Sequence, residues 1–394
     1  MERTSIRDYS ILFLIALFMA GAYFSQAIQA GAEGLTLIYF LFCLKSLKKD
    51  SLENFEWILL VSISPFILSV IYGVCISSDF SNGWKEGKSS LHILMLPAIF
   101  SLMNKTGFRK CYIIFQLCFY IEFIWAIYNR TQGFGLDRIH GKLYTGTDGL
   151  FVSIVFLIAV HQLIHKKRGF ENGSLAFCSF IFLILTKSRA PALACLILLP
   201  FMFIIYRVSI KKVVLLMLPL ALSMLFVPKE AIRYFSNAAQ TAMAESAEGQ
   251  NMTSMGGRYQ LWKASYISIK ETNGIGTGYG DFKQDIENYI NQGLIKPMQN
   301  HMHVHSLYLH ALFCSGIIGL LGILITGYLI LQKVNIYFEK PILIYVIAGH
   351  FLITGLFDAH FEHSKKIIFY SFCFCLACLT LKKKEKPIVQ HESS

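Results

Sequence analysis

The stretch NHMHVHSLYLH concentrates four histidines in one short run and offers the most chemistry in the sequence. His301, His303 and His305 alternate, which predicts three imidazoles on one side of an extended strand, and His310 follows in a predicted helix. Such histidines can bind zinc, transfer a proton or simply lie at a surface. Zinc sites usually recruit a further Cys, carboxylate or water, and no Asp or Glu lies between residues 288 and 338. The pattern therefore favours proton transfer, and we expect no metal.

His305 is the best-placed base of this group. Ser306 follows it directly and is predicted to cap the next helix through its hydroxyl, which would hold His305 at the end of that helix. His303 remains the alternative base, because the spacing does not separate the two.

Two arginines could hold an anion near the same membrane face. Arg189 lies in the turn TKSRAP at the mouth of an apolar helix, and Arg258 follows two glycines in SMGGRYQLW. A planar guanidinium donates paired hydrogen bonds to phosphate and stays charged, so a diphosphate would suit both. Lys187 could add charge there. Each arginine taken alone also fits an ordinary surface or snorkelling residue.

Weaker candidates surround these residues. Arg138 and Tyr144, in DRIHGKLYTGTDG, precede a predicted span on the same side and could contact a donor. Tyr259 and Trp262 could stack on sugars, although both residue types are common at membrane interfaces. Asp358, in FDAHFEH, could pair with an arginine or orient a histidine.

The elements that must position these residues are membrane helices. The chain has 394 residues, of which 55% are hydrophobic and 15% charged, with mean hydropathy +0.52. This composition predicts an all-α polytopic membrane protein with about 12 transmembrane helices. The predicted spans are Ile11–Ile28, Leu35–Leu44, Trp57–Ile76, Leu91–Met103, Cys111–Tyr128, Leu150–Ile164, Leu175–Thr186, Pro191–Tyr206, Val213–Val227, Ser306–Leu331, Pro341–Phe357 and Ile367–Leu381.

Basic residues predict the orientation. With a cytoplasmic N-terminus, about 20 of the 36 Lys and Arg fall in inner segments, including the tail KKKEK. Both termini are then cytoplasmic, and the first span lacks the cleavage site of a signal peptide. The net charge of +12 thus reflects topology, and we expect no nucleic-acid partner.

The chain divides into three parts. Residues 1–227 hold predicted spans one to nine, 228–305 form a long outer loop, and 306–394 hold three spans and the basic tail. The outer loop contains two stretches with helical spacing, 231–246 and 258–271, which predict amphipathic helices at the membrane surface. The glycine-rich TNGIGTGYGDF follows the second. Long ordered loops of this kind are usually functional.

Three segments together resemble the O-antigen ligases of Gram-negative bacteria and, more broadly, the ligase/polymerase superfamily. They are TKSRAPALA, SMGGRYQLWKASYISIKETNGIGTGYGDF and HMHVHSLYLHALFCSGIIGLLG. The family commonly has an Arg before an outer helix, an Arg opening a helix in the outer loop, and an HxHN-type motif before a helix containing G-x-x-G. These correspond to Arg189, Arg258, His303 to Ser306, and Gly316 to Gly319. Ser306 stands where Asn is usual.

The resemblance implies a glycosyltransferase of the inner membrane that needs neither metal nor nucleotide. It would move O-antigen from undecaprenyl diphosphate to a sugar hydroxyl of the lipid A-core, inverting the anomeric carbon on the periplasmic face. Arg189 and Arg258 would hold the diphosphate, and His305 or His303 would accept the proton. No cofactor is expected, and the implied partners are the lipid-linked donor, the lipid A-core acceptor and membrane lipids.

Two rival functions fit parts of the pattern. An O-antigen polymerase would use the same donor and join lipid-linked repeat units, although the HxH motif favours the ligase. A solute transporter is the default for twelve spans. Apart from Glu122, the predicted spans carry almost no acidic residue of the kind that relays protons or binds coupling ions, which disfavours transport.

Overall fold

The described part of the chain is helical. The computed structural model describes residues 6–24, 28–36, 38, 55–131, 145–165, 168–223, 254–298 and 303–384. Within these ranges there is no β-strand, and one isolated antiparallel bridge joins Phe338 to Lys383. The all-α prediction is therefore confirmed for these residues.

Fifteen α-helices and two 3-10 segments make up the described ranges. In chain order they are α1 (Ile6–Phe24), α2 (28–36), α3 (Phe55–Cys75), α4 (Phe80–Gly87), a 3-10 segment (Lys88–Leu94), α5 (Met95–Thr106), α6 (Phe108–Thr131), α7 (Thr145–Ile164), α8 (Gly169–Leu185), α9 (Arg189–Ile205), α10 (Ile210–Ser223), α11 (Ser254–Glu271), α12 (Phe282–Asn291), α13 (Leu307–Tyr337), α14 (Ile342–Gly355), a second 3-10 segment (His360–Glu362) and α15 (Ser364–Cys378).

Several of these helices have the length and composition of membrane spans. Four in the described ranges are long and apolar enough to cross a bilayer: Phe55–Cys75, Phe108–Asn129, Thr147–Ile164 and Leu307–Tyr337. Shorter apolar helices accompany them within α1, α8, α9 and α14. A membrane protein is thus supported, while the count of twelve spans and the outer position of residues 228–305 stay predictions.

Helix α7 lies at the centre of the bundle. Every residue from Leu150 to Gln162 is buried, as expected of a helix that is apolar on all sides. Phe151 stacks on Phe369 of α15 with 3.8 Å between ring centroids, and Phe115 of α6 stacks on the other side of this group. Aromatic packing therefore ties α6, α7 and α15 together.

Helices α3 and α13 form the most extensive helix pair, and small residues allow it. A Cβ on Gly322 would lie 2.5 Å from Ser69 Oγ, so the two backbones approach closely. The hydroxyl of Thr326 accepts a hydrogen bond from the Phe66 amide at 3.1 Å, one residue after Pro65 interrupts α3. The two helices therefore pack as one rigid pair.

The N-terminal ends of α7, α9 and α15 meet at one end of the bundle. A Cβ on Gly149 would lie 2.3 Å from the side chain of Ser188, which precedes α9. Asp148 lies close enough to Lys365, in the first turn of α15, to act on its charge. The next residue, Lys366, acts likewise on His303. We call this region the histidine end.

Candidate functional site

The His303–His305 segment turns sharply instead of extending. His305 has φ of 55°, in the left-handed region, and the two rings lie 4.3 Å apart between centroids. In a strand, alternate side chains on one face are about 6.5 to 7 Å apart. The expected extended strand is therefore wrong at these residues, because a left-handed residue folds the chain back and brings the two rings together at an interplanar angle of 59°. His301 lies outside the described residues.

The predicted helix cap is confirmed. Ser306 is extended, with φ of −151° and ψ of 126°, and its hydroxyl accepts a hydrogen bond from the Leu309 amide. His305 is thus fixed directly before α13. His310 belongs to a different environment: it is buried, with its ring centroid 5.4 Å from that of Phe282 and 5.9 Å from that of Tyr279.

A carboxylate reaches the histidines from a distant part of the chain. Asp358 lies in the segment after α14. One of its carboxylate oxygens, one ring nitrogen of His303 and one ring nitrogen of His305 all lie within 4.8 Å of one another. Its Oδ2 atom also accepts a hydrogen bond from Lys366 Nζ at 2.6 Å, and the Lys366 side chain is 4% exposed. Asp358, a candidate partner of a histidine by sequence, thus lies beside His303 and His305. Its role in orienting a histidine remains a prediction.

Burial and charge keep both histidines neutral. Burial lowers the pKa of His303 to about 2, with His305 and Lys366 adding repulsion. Burial and then the Arg258 charge, partly offset by Asp358, together lower the pKa of His305 to about 4. A neutral imidazole can accept a proton. The choice of His305 over His303 as the base remains a prediction.

Asp358 stays ionised in these surroundings. Burial, the largest single cause, would raise the pKa of this carboxyl group, but the charge and hydrogen bond of Lys366 together with His360 and His303 hold the pKa below its usual range. An ionised carboxylate beside a neutral imidazole is the arrangement that orients a catalytic base.

Two histidines and a carboxylate also have the geometry of a metal site, so the ligand set needs a chemical test. Asp358 is already neutralised by Lys366 at 2.6 Å. A divalent cation bound by these three residues would lie near the Lys366 ammonium. The Arg258 guanidinium, whose charge acts on His305, would be near it as well. Like charges close together repel strongly. The surroundings disfavour a cation here, and the absence of a metal remains a prediction.

Arg258 comes to the histidines from α11. This helix buries a face of small and polar residues, including Gln260, Ala264 and Ser268. Gln260 Oε1 accepts a hydrogen bond from the Lys296 amide at 3.0 Å, which joins the helix to the segment leading towards the histidines. Leu261 is buried on the same helix, and the position of α11 at the membrane surface remains a prediction. The first predicted amphipathic stretch, 231–246, lies outside the described residues.

Helix α13 is broken where it meets the glycine loop, residues 272–281. Gly316 has φ of 61° and ψ of −152°, which interrupts the helical hydrogen bonds. Two amides of the loop donate to the carbonyls of Phe313 and Cys314 at 2.9 Å each, and the Ile317 amide donates back to a loop carbonyl at 2.8 Å. The loop thus replaces the bonds that the break removes.

Glycines make this docking sterically possible. Gly276 and Gly278 have φ of 90° and 104°. A Cβ on Gly276 would lie 2.5 Å from the Gly316 nitrogen, and one on Gly278 would lie 2.6 Å from the Ser77 Cα. The amide after Gly278 also donates to the Gly73 carbonyl at 3.1 Å. Because this loop directly follows α11, it fixes the Arg258 helix relative to α3 and α13.

The turn with Arg189 lies at the histidine end. Arg189 is the first residue of α9, and Lys187 before it is left-handed with φ of 53°. Cys195, further along α9, lies 3.7 Å from the Ser153 carbonyl of α7, so the two helices run side by side from the same end. A shared diphosphate site for Arg189 and Arg258 remains a prediction.

The weaker candidates fall in different places. Arg138 and Tyr144 lie outside the described residues. Tyr259 is exposed, whereas Trp262 is half-buried against the hydrophobic core. Lys366 was missed by sequence reasoning, although FDAHFEHSKK concentrates Asp, His and Lys and signals a charged cluster.

Comparison with known proteins supports one family. A family model described as O-Antigen ligase matches residues 174–324. The matched segment includes Arg189, Arg258, His303, His305 and the break at Gly316, while Asp358 and Lys366 lie beyond it. No curated protein matches the chain.

Proposed function

We propose that this chain, an O-antigen ligase-type superfamily member by its residues 174–324, transfers O-antigen from undecaprenyl diphosphate to a lipid A-core sugar. The acceptor hydroxyl attacks the anomeric carbon from the side opposite the diphosphate. The new carbon–oxygen bond forms as the bond to the diphosphate breaks, and the configuration inverts. His305 accepts the hydroxyl proton, and the diphosphate takes the bonding electron pair.

The observation that carries this proposal is the meeting of Arg258 with the neutral His305. They come from α11 and from the segment before α13, yet the Arg258 charge lies near enough to lower the pKa of the imidazole. A base for the acceptor and a cation for the leaving group are the two requirements of this transfer.

The arginines act on charge that develops during the reaction. As the sugar leaves, negative charge grows on the diphosphate, and a guanidinium stabilises it through paired hydrogen bonds. We assign this role to Arg258 and Arg189, with Lys187 as an added charge. Arg138, Tyr144, Tyr259 and Trp262 are secondary candidates for donor or acceptor contacts.

The reaction needs neither a metal nor a nucleotide, because the diphosphate is already an activated leaving group. We place the site on the periplasmic face of the inner membrane, where the positive-inside distribution puts residues 228–305. His303 would orient or assist His305.

A lipopolysaccharide gel from a deletion strain tests the function. Restoration with the wild type is compared with His305→Ala and Arg258→Ala, and with matched controls His165→Ala and Arg168→Ala, which lie in the turn between α7 and α8 at the opposite end of the bundle. We expect bare core and accumulated lipid-linked O-antigen in the deletion strain and in both site variants, at normal membrane levels of protein. The two controls should restore the ladder.

The same gel separates the rival functions. A core that carries a single repeat unit would make the chain an O-antigen polymerase, with the same donor and a lipid-linked acceptor. An unchanged ladder in the deletion strain would overturn both glycosyltransferase functions and leave transport of a solute to be tested.

A further inference from the structure

A chain of buried polar side chains runs from the core of the bundle to the histidine end. Ser153 Oγ lies 2.7 Å from His350 Nε2, and His350 Nδ1 lies 2.9 Å from the Tyr370 hydroxyl. The Tyr370 hydroxyl lies 3.0 Å from Thr354 Oγ1, which lies 2.8 Å from His360 Nε2. All five side chains are buried. None has a part in the proposed transfer.

One direction of donation joins every link of this chain. Each hydroxyl has a single hydrogen, and so has a neutral imidazole. The Ser153 hydroxyl donates to His350 Nε2, and His350 Nδ1–H donates to the Tyr370 oxygen. The Tyr370 hydroxyl then donates to Thr354 Oγ1.

The outer half ends at the site. His360 Nδ1 lies 4.0 Å from Asp358 Oδ2, which is too far for a hydrogen bond, but the negative carboxylate favours the proton on that nitrogen by charge. His360 Nε2 then accepts from the Thr354 hydroxyl. The Thr354 hydroxyl can instead donate to the His350 carbonyl at 2.6 Å. Because the Asp358 carboxylate favours the proton on His360 Nδ1, it leaves Nε2 as an acceptor and so favours the bond from Thr354 to His360.

Packing alone does not explain such a chain. Buried polar groups lose their hydration, and well-packed apolar residues of similar volume are often as stable or more so. Three helices and a connecting segment nevertheless contribute hydroxyls and imidazoles at matched distances. A network of this kind fixes orientation.

We propose that Ser153, His350, Tyr370, Thr354 and His360 form a positioning network that aims the His360 Nδ1–H at Asp358 and so fixes the carboxylate that orients His305. Lys366 holds the other side of that carboxylate at 2.6 Å. The catalytic consequence rests on the proposed glycosyl transfer, whereas the orientation of the histidines can be tested without it.

Thr354 offers a matched pair of variants. Thr354→Val keeps the shape and loses the hydroxyl, while Thr354→Ser keeps the hydroxyl. With purified full-length protein, lipid-linked O-antigen and core acceptor, we expect Thr354→Val to lower kcat about tenfold to a hundredfold. We expect an unchanged KM for the donor and an unchanged melting temperature. Thr354→Ser should keep the wild-type kcat.

Variants of His360 test which of its two ring nitrogens is the donor. Asn places its amide near the position of Nδ1, and Gln places it near Nε2. Because the proposal assigns the donor role to Nδ1, His360→Asn should retain more activity than His360→Gln. The opposite order would overturn the assignment, as would Thr354→Val with a wild-type kcat or with a loss that only follows the amount of folded protein.

A readout without glycosyl transfer distinguishes failure of the network from failure of the function. Diethyl pyrocarbonate modifies neutral imidazoles, and mass spectrometry of the peptide with His303 and His305 gives their rate of modification. We expect the rate to change at least about threefold in Thr354→Val and to stay at the wild-type value in Thr354→Ser. Equal rates in all three proteins would overturn the network even if the wild type transfers O-antigen. If Thr354→Val changes the rate of modification but the wild type transfers no O-antigen, only the proposed function is overturned.

Discussion

The middle of the bundle and its histidine end are built from opposite materials. In the middle, aromatic rings stack across three helices, as Phe151 does on Phe369 with 3.8 Å between centroids. At the histidine end, two neutral imidazoles, an ionised carboxylate and a buried ammonium lie together. Aromatic burial stabilises a fold without regard to chemistry, whereas buried charges add little stability and require support. The molecule thus separates the residues that stabilise its fold from those of the candidate site.

The largest effect is expected when the proposed base is removed. His305→Ala should lower the rate of transfer about 10²- to 10⁴-fold, because proton acceptance contributes about that much in general base catalysis. The melting temperature in detergent should stay close to that of the wild type. His165→Ala is the control. A fall in melting temperature matching the loss of activity would show that the two regions are not separate.

A substitution in the middle of the bundle, among the stacked aromatic rings, should have the opposite effect: a loss of stability without a loss of activity. Phe369→Ala should lower the free energy of unfolding by about 3 to 5 kcal/mol, because a large buried side chain leaves a cavity. Denaturation in detergent measures this loss. The activity of each folded molecule should be unchanged. A specific loss of activity would show that aromatic packing also positions the site.

Acid should weaken the histidine end before the middle. Burial depresses the pKa of His305 to about 4 and that of His303 to about 2, from an ordinary value of 6.5. Since the unfolded chain binds these protons first, stability falls as the pH drops from about 6.5 to about 4. We expect a loss of about 2 kcal/mol after allowance for solvent screening. His305→Ala should reduce this loss, and an identical pH profile in that variant would contradict it.

The helix cap should have a smaller effect. Ser306→Ala removes the acceptor for the Leu309 amide and should cost about 0.5 to 2 kcal/mol of stability. Ser306→Asn, the residue usual at this position in the resembled family, also caps and should cost less. Melting temperatures of the two variants test this order.

The smallest expected effect is that of chelators. Because Lys366 already neutralises Asp358, removal of divalent cations should leave transfer by the purified protein within about twofold of its starting rate. Zinc added back should not increase the rate. A loss with EDTA that zinc restores would show that the histidines and Asp358 bind a metal.

Local patterns in the sequence predicted much of this architecture. Long apolar runs predicted the helices, and Ser306 before a helix predicted its cap, because both depend on neighbouring residues. The left-handed His305 was missed, since a non-glycine residue with positive φ is set by the surrounding structure. Asp358 was a candidate partner of a histidine, but which histidines it meets, and the place of Lys366 beside it, depend on how α14 and α15 pack. The break at Gly316 depends in the same way on the loop that fills it.

That break also dictates the order in which the protein can be assembled. The glycine loop is synthesised before α13, yet its amides find the carbonyls of Phe313 and Cys314 only after that helix has been made. Within a bilayer, carbonyls released by a broken helix are costly until a donor reaches them. Insertion of α13 and docking of the loop therefore belong to a single cooperative event. A nascent chain that ends before this helix has Arg258 but lacks the helix to which the glycine loop is bonded, so the candidate site forms only late in synthesis.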